Sequence, residues 1–405
     1  MAHINRKVTI MGKADILNYI GYSKFWHKAM ALLLPTNACK RDNGMFVNIR
    51  EEIDLYTNGF LWGFCAQDNS ENINYNENRR TKQALFSKNT LFLDKNDGGI
   101  NLIDYDNKLK ALRIMLIFKY FDNKDKPWKS ITRYWFCSTL RHISNEEWNN
   151  QYPHVADIEE VPQFFKQCIL DFKEYYRNFG TSINEKCNTK TIYCNLIKQK
   201  NHIPASVIRF PEYLTNGFFE NLHKSYFLDP YLREFLFKLY HTKLMFKRYK
   251  LNINDLLNFE RHRCTLCNIS IETPKHLFSI CRLGLMMRNK RNSILQKMNL
   301  NQQNTYEENF IYSNFKNDGI DNNIRKFIVT AANYTIYKAK MKKFYNVDTN
   351  VSNIDIAKIF IETVKNRITI DHKRMSQLNF KETWDPGGSQ SLMEYTVNEI
   401  KRWKI

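Results

Sequence analysis

The chain is expected to be mainly α-helical, on three observations. Its 405 residues contain only 13 glycines and 9 prolines, too few for the many tight turns of an all-β sandwich. Apolar residues recur at three- and four-residue intervals along most of its length, the spacing of one helix face. Hydrophobic residues make up 43% and aromatics 14%, with 28 Phe and 22 Tyr, enough apolar surface to offset the entropy of ordering and so to exclude disorder. At roughly 150 residues per domain the length fits two or three domains, and the expected division is 1–150, 151–285 and 286–405.

The elements follow in order. KADILNYIGYSKFWHKAMALLL at 13–34 places Ile16, Tyr19, Ile20, Phe25, Met30 and Leu33 at roughly helical intervals before Pro35 stops the run. IDLYTNGFLWGF at 53–64 is a second apolar stretch, and the Asn-rich segment 68–82 reads as a surface loop. Asn96-Asp97-Gly98-Gly99 signals a turn, and NKLKALRIMLIFKYF at 107–121 predicts a buried helix. Residues 122–160 alternate aromatics, charges and prolines, as short helices joined by loops would. Helical patterns return at 162–178, 184–199 and 231–249, then after a polar linker at 299–323 they occupy 324–345 and 353–369. TWDPGGSQS at 383–391 reads as a turn-rich tail whose Trp384 docks on the body.

Lys and Arg total 61 against 41 Asp and Glu, a formal charge of +20. A field of that sign attracts phosphate backbones or acidic surfaces, and RNA or DNA is the leading partner class, although a basic surface also serves solubility alone. No run of about 18 apolar residues is present, so no membrane span is expected. The first residues, MAHINRKVTIMGKADIL, lack the apolar core of a signal peptide, and an intracellular chain, nuclear or cytoplasmic, is expected. Nine cysteines in a reducing compartment serve as thiols or metal ligands more readily than as disulfides.

One constellation carries metal chemistry. Cys264, Cys267, His276 and Cys281 form C-x2-C-x8-H-x4-C within RHRCTLCNISIETPKHLFSIC. Three thiolates and one imidazole have the number and softness of a closed tetrahedral Zn2+ site, structural because no open position is left for water. Pro274 suits the first turn of a helix carrying His276. The bland alternative makes these residues small buried thiols and a core histidine. The other cysteines, Cys39, Cys65, Cys137, Cys168, Cys187 and Cys194, have no comparable spacing.

Several segments, in order, resemble the region that follows the polymerase core in reverse transcriptases of LINE-type, non-LTR retrotransposons. The segments are 13–35 and GFLWG at 59–63, DKNDGGINLIDYDNKLKALRIMLI at 94–117, PWK at 127–129, TIYCNL at 191–196, Tyr231 to Cys281, and IVTAANYTIYKAK at 328–340. The resemblance covers roughly residues 12–345. It implies a multi-helical region like the polymerase thumb or connector, then a small CCHC zinc-binding module and a helical C-terminal tail. In one departure, Asn101 stands where the family's Gly-Gly-Leu-Gly-Leu stretch has its last glycine.

A polymerase palm needs paired carboxylates to hold two metal ions, and the chain contains no Asp-Asp dipeptide. Glu51-Glu52 and Asp157, Glu159 and Glu160 read as solvated helix faces. The chain is therefore expected to be non-catalytic, with no small-molecule substrate, and to be a truncated or relic element that holds template RNA or target DNA electrostatically. The cations expected to meet phosphate are Lys238, Lys243, Lys247, Arg248, Arg261, Arg263, Arg288, Lys290, Arg291, Lys338, Lys340, Lys342 and Lys343. Interleaved rings could stack unpaired bases, but Phe235, Leu239, Phe246, Tyr337 and Phe344 sit at helical spacing and fit a core better than a stacking platform. The other expected class is a zinc-stabilised helical scaffold that binds an acidic protein.

Overall fold

The computed structural model describes residues 8–23, 49–62, 85–121, 162–179, 187–200, 218–225, 227–248, 259–300, 319–345 and 352–384, together with 26, 39–40, 46–47, 126–130, 132, 134–136, 202–204, 207, 311–313, 392–396 and 399–403. The protein is mainly helical and divides into two compact units, Met1–Ile203 and Pro204–Ile405. The boundary falls inside the 151–285 segment of the sequence division, because the helices of 163–199 pack into the core of the first unit. The expected loop at 68–82 and all of 137–160 lie outside the described residues. Among the described residues no helix is long and apolar enough to cross a membrane.

In the first unit, α1 (Ile10–Ile16) starts at Thr9, whose hydroxyl accepts the Gly12 N–H at 3.3 Å. It continues into a π-turn, Leu17–Gly21, and α2 spans Ile49–Trp62. Short strands β1 (Cys39–Lys40) and β2 (Phe46–Val47) pair antiparallel. After α3 (Lys88–Phe92) comes the expected turn. Asp94 accepts the Asn96 N–H at 2.9 Å, and Gly98 has a φ of 86°. A Cβ on Gly99 would stand 1.9 Å from the Leu93 carbonyl oxygen, so only glycine fits there. Asn101 has a φ of 55°, the left-handed region that glycine favours and asparagine tolerates. The departure from the Gly-Gly-Leu-Gly-Leu pattern is thus one that the backbone accommodates.

Helix α4 (Tyr105–Phe121) is capped by Asp104, which accepts the Asp106 and Asn107 N–H groups at 3.1 and 3.3 Å and pairs with Lys200 at 2.7 Å. Helices α5 (Gln163–Phe179) and α6 (Thr189–Gln199) pack on it through Ile114, Ile117, Phe118, Ile169, Phe172, Tyr175, Ile192 and Leu196. The rings of Phe118 and Phe172 meet edge to face at 5.5 Å. The buried Asp171 is neutralised by Arg113, whose Nε lies 2.6 Å from Oδ2.

The second unit contains α7 (Phe218–Lys224), α8 (Pro230–Tyr240), α9 (Phe259–His262), α10 (Arg282–Lys297), α11 (Ile320–Tyr345), α12 (Asn353–Arg374) and α13 (Gln377–Trp384). An antiparallel hairpin, β3 (Met393–Thr396) with β4 (Glu399–Trp403), follows them in the chain. The helix expected over 231–249 ends at Tyr240. Thr242 takes a φ of 56°, and the Lys243 N–H bonds back to the Lys238 carbonyl at 2.7 Å, a reversal that closes the helix end. Residues 243–248 leave the helix as an arm, and the Arg248 N–H donates to the Glu272 carbonyl at 3.0 Å.

Helix α11 is the axis of this unit, with Phe327, Ile328, Val329 and Ala331 wholly buried. Lys326, 1% exposed, donates to the Asn221 carbonyl at 2.8 Å. Burial, and then the neighbouring Arg233, pull its pKa down to about 7. Trp384 docks as expected: it is wholly buried, edge-on to Phe227 and Phe327, and its Nε1 donates to Asp371 at 3.1 Å.

Candidate metal centre

The four residues singled out by spacing converge. The ligand atoms of Cys264, Cys267, His276 and Cys281 all lie within 4.8 Å of one another, so this cluster can hold a metal ion. A tetrahedral zinc with the usual bond lengths would set its ligand atoms about 3.6–3.8 Å apart, and the set is already close to that. Cys264, His276 and Cys281 are buried and Cys267 is half-buried. His276 Nε2 faces Cys267 Sγ at 3.2 Å, while Nδ1 is buried without a partner among the described residues.

Local backbone geometry explains the convergence. The chain folds back on itself after Cys264: the Asn268 N–H donates to the Cys264 carbonyl at 2.9 Å, and the Cys264 N–H to the Ser270 carbonyl at 2.7 Å. Asn268 closes the turn with a φ of 60°, a value asparagine adopts more readily than most residues. This tight reversal aims both thiols of C-x2-C the same way. On the other side, the Thr273 hydroxyl accepts the His276 N–H at 3.0 Å, capping a helical turn that begins at Pro274.

That turn becomes a π-turn, His276–Ile280, in which the Cys281 N–H donates to the His276 carbonyl at 2.7 Å. The five-residue step returns Cys281 to the side of His276. Gly284 lets the next helix approach closely, since a Cβ there would stand 2.4 Å from the Leu277 carbonyl oxygen.

Cys264 and Cys281 are coupled through a hydrogen bond between their side chains. The Cys264 pKa is pushed up to about 12, first by its hydrogen bond to Cys281 and then by burial, and the same bond lowers that of Cys281. A bound metal requires the thiolates, so loading expels these protons and weakens as pH falls.

Behind the cluster lies an ion pair that sequence reasoning missed. Glu272 is wholly buried, and Lys340, 2% exposed, places Nζ 3.0 Å from its Oε1. The other oxygen accepts the Thr265 N–H at 2.9 Å, inside the C-x2-C turn. Burial opposes ionisation of Glu272, yet the Lys340 ammonium and the Thr265 hydrogen bonds outweigh it and hold the carboxyl below its ordinary value. Burial lowers Lys340 against the pull of Glu272. The ion pair joins α11 to the metal turn, as does Lys343, which donates to the Leu266 carbonyl at 3.2 Å. Sequence carried only a faint sign of it, one acid among the basic residues of 261–282.

The cations expected to meet phosphate separate into three groups. Lys243, Arg261, Arg288, Lys338 and Lys342 are exposed. Lys238, Lys247, Arg248, Arg263, Lys290 and Lys343 are half-buried, and five of these six bind their own chain. Lys238 pairs with Glu234 and Arg263 with Glu260, Lys247 donates to the Arg263 carbonyl at 2.6 Å, and Arg248 donates to His262 Nε2 at 3.0 Å.

Lys340 and Arg291 stand apart from the expectation. Lys340 neutralises Glu272, and Arg291 is 4% exposed with its guanidinium on the Asn292 side chain at 3.1–3.2 Å. Both long side chains are consumed by packing and lie away from solvent. In their place the structure exposes Lys275 and Arg282, next to His276 and Cys281. Their positions immediately beside two ligands were the available signal. No protein-family model matches the chain, and no curated protein matches it.

Proposed function

We propose that the chain is a non-catalytic nucleic-acid-binding module organised by a structural zinc ion, of the kind that lies C-terminal to the polymerase core in LINE-type reverse transcriptases. The observation that carries the reading is the Cys264, Cys267, His276 and Cys281 cluster, set among exposed cations on the same segments, Arg261, Lys275 and Arg282. The donor set of three sulfurs and one nitrogen suits zinc, and four protein ligands leave no position for a catalytic water. Cations held on a metal-rigidified turn meet phosphates with little further ordering cost.

The test is binding of the purified chain to labelled single-stranded RNA and duplex DNA across a salt series, with metal content measured by mass spectrometry. Zinc at one ion per chain is expected, with log K falling linearly in log salt and binding lost in Cys267→Ser. Unlabelled RNA should displace the probe and polyglutamate should not. A zinc-loaded chain that binds neither nucleic acid would overturn the reading, and displacement by polyglutamate alone would favour an acidic protein partner.

A further inference from the structure

We propose that this module selects unpaired strands, with bases stacking on Phe344 and Tyr345 at the C-terminal end of α11. The inference rests on the nucleic-acid reading above and names the substrate class of that same surface. Most aromatic side chains near the metal turn are spoken for: Phe235 is buried, and Phe246 and Tyr337 pack on it or on Phe278 and carry Lys340 over their faces at 5.2 and 5.5 Å. Phe344 and Tyr345 differ. They are 44% and 68% exposed, and they meet edge to face with ring centroids 5.4 Å apart.

Their setting is built from several elements. The Tyr345 hydroxyl points at Met245 Sδ at 3.8 Å, and Met245, 45% exposed, is held by its N–H on the Tyr337 hydroxyl at 3.0 Å. Lys343 ties the same helix end to the Leu266 carbonyl inside the C-x2-C turn. The rings therefore sit beside the metal turn on an anchored helix end.

The charge around them has the sign a strand needs. A helix C-terminus carries partial negative charge that would repel phosphate, and Lys342 and Lys343 in the last turn offset it. Lys243 on the arm and Lys338 one turn back are exposed. Cations serve single strands and duplexes alike, whereas an exposed ring gains contact only from a base already out of its stack. The pairing of free rings with cations favours a single strand over a duplex, and over an apolar protein surface that would leave the lysines unmatched.

The experiment compares Phe344→Ala, Tyr345→Ala and Tyr345→Trp with the parent in the full chain, all zinc-loaded. Probes are single-stranded RNA, single-stranded DNA and duplex DNA of equal length. Each alanine variant should weaken single-strand binding by roughly 5- to 150-fold, the range for losing one stacked base, and leave duplex binding within about twofold. Tyr345→Trp should retain or tighten single-strand binding. Unequal losses on the RNA and DNA strands would tell which one the surface serves.

Equal weakening of single-strand and duplex binding, or no change in either, would overturn the platform while leaving the nucleic-acid reading intact. So would a change in sedimentation mass confined to the ring variants, which would make the patch a contact between copies of this chain. Failure of the parent to bind any probe would overturn the broader reading and this one with it.

Discussion

The first unit and the metal turn of the second are stabilised by different means. The first is held by apolar surface: Ile114, Ile117, Phe118, Ile169 and Phe172 interlock across three helices, and the buried Asp171 beside them has a guanidinium at 2.6 Å. The metal turn of the second concentrates polar groups instead: four candidate metal ligands, a wholly buried carboxylate and a buried ammonium lie within one short segment and the helix beside it. A hydrophobic core degrades gradually, because each lost methylene removes a part of the whole. A polar core built around an ion fails all at once, because each remaining partner is then left buried and unsatisfied.

Metal removal should separate the two units most sharply. Structural zinc contributes apparent binding free energies of about 10–16 kcal/mol in small zinc modules. Chelation or Cys264→Ser is therefore expected to unfold residues 259–300 while α4, α5 and α6 keep their amide protection in hydrogen exchange. Simultaneous loss of protection in both units would break the distinction.

Two substitutions of similar size should act through opposite mechanisms. Phe172→Ala is expected to cost about 3–5 kcal/mol in the first unit without changing metal content. Glu272→Ala strands Lys340 and should cost about 3–5 kcal/mol in the second, with weaker metal retention. Adding Lys340→Met to a Glu272→Leu variant should recover most of that loss. If it does not, the ion pair contributes more than mutual neutralisation. Urea unfolding read beside metal content distinguishes these cases.

The smallest effect concerns pH. Lys326 has a folded pKa of about 7, below the ordinary lysine value, so the unfolded chain binds more protons between about pH 7 and 10. Stability contributed at this position should rise with pH through that window, by about 1 kcal/mol per unit. The difference in urea midpoint between the parent and Lys326→Met, followed from pH 7 to 9, should show that slope. A parallel pair of curves would mean that the ammonium finds compensation where it lies.

Legibility in sequence followed the same division. Helices α4, α5, α6, α11 and α12 were readable from apolar spacing, since burying one stripe is what makes them helices. The four candidate metal ligands were readable from their number and gaps. The end of α8 was not, because the reversal at Thr242 needs a positive φ in a residue that seldom signals it. The fates of Lys340 and Arg291 were hidden too: the same residue type that meets phosphate at a surface neutralises a carboxylate inside, and only tertiary packing chooses. Phe344 was readable as core from its spacing, yet it lies where α11 has run past its neighbours.

The π-turn between His276 and Cys281 bears on how such modules diverge. In a regular α-helix the fifth residue onward sits about 140° around the axis and the fourth about 40°. Losing one residue from this gap while the turn tightened to an α-turn would leave the last thiol on the ligand side. A one-residue deletion at this point should therefore be tolerated where one in the C-x2-C reversal is not. The His-to-Cys gap is thus set by a turn that can take either four or five steps.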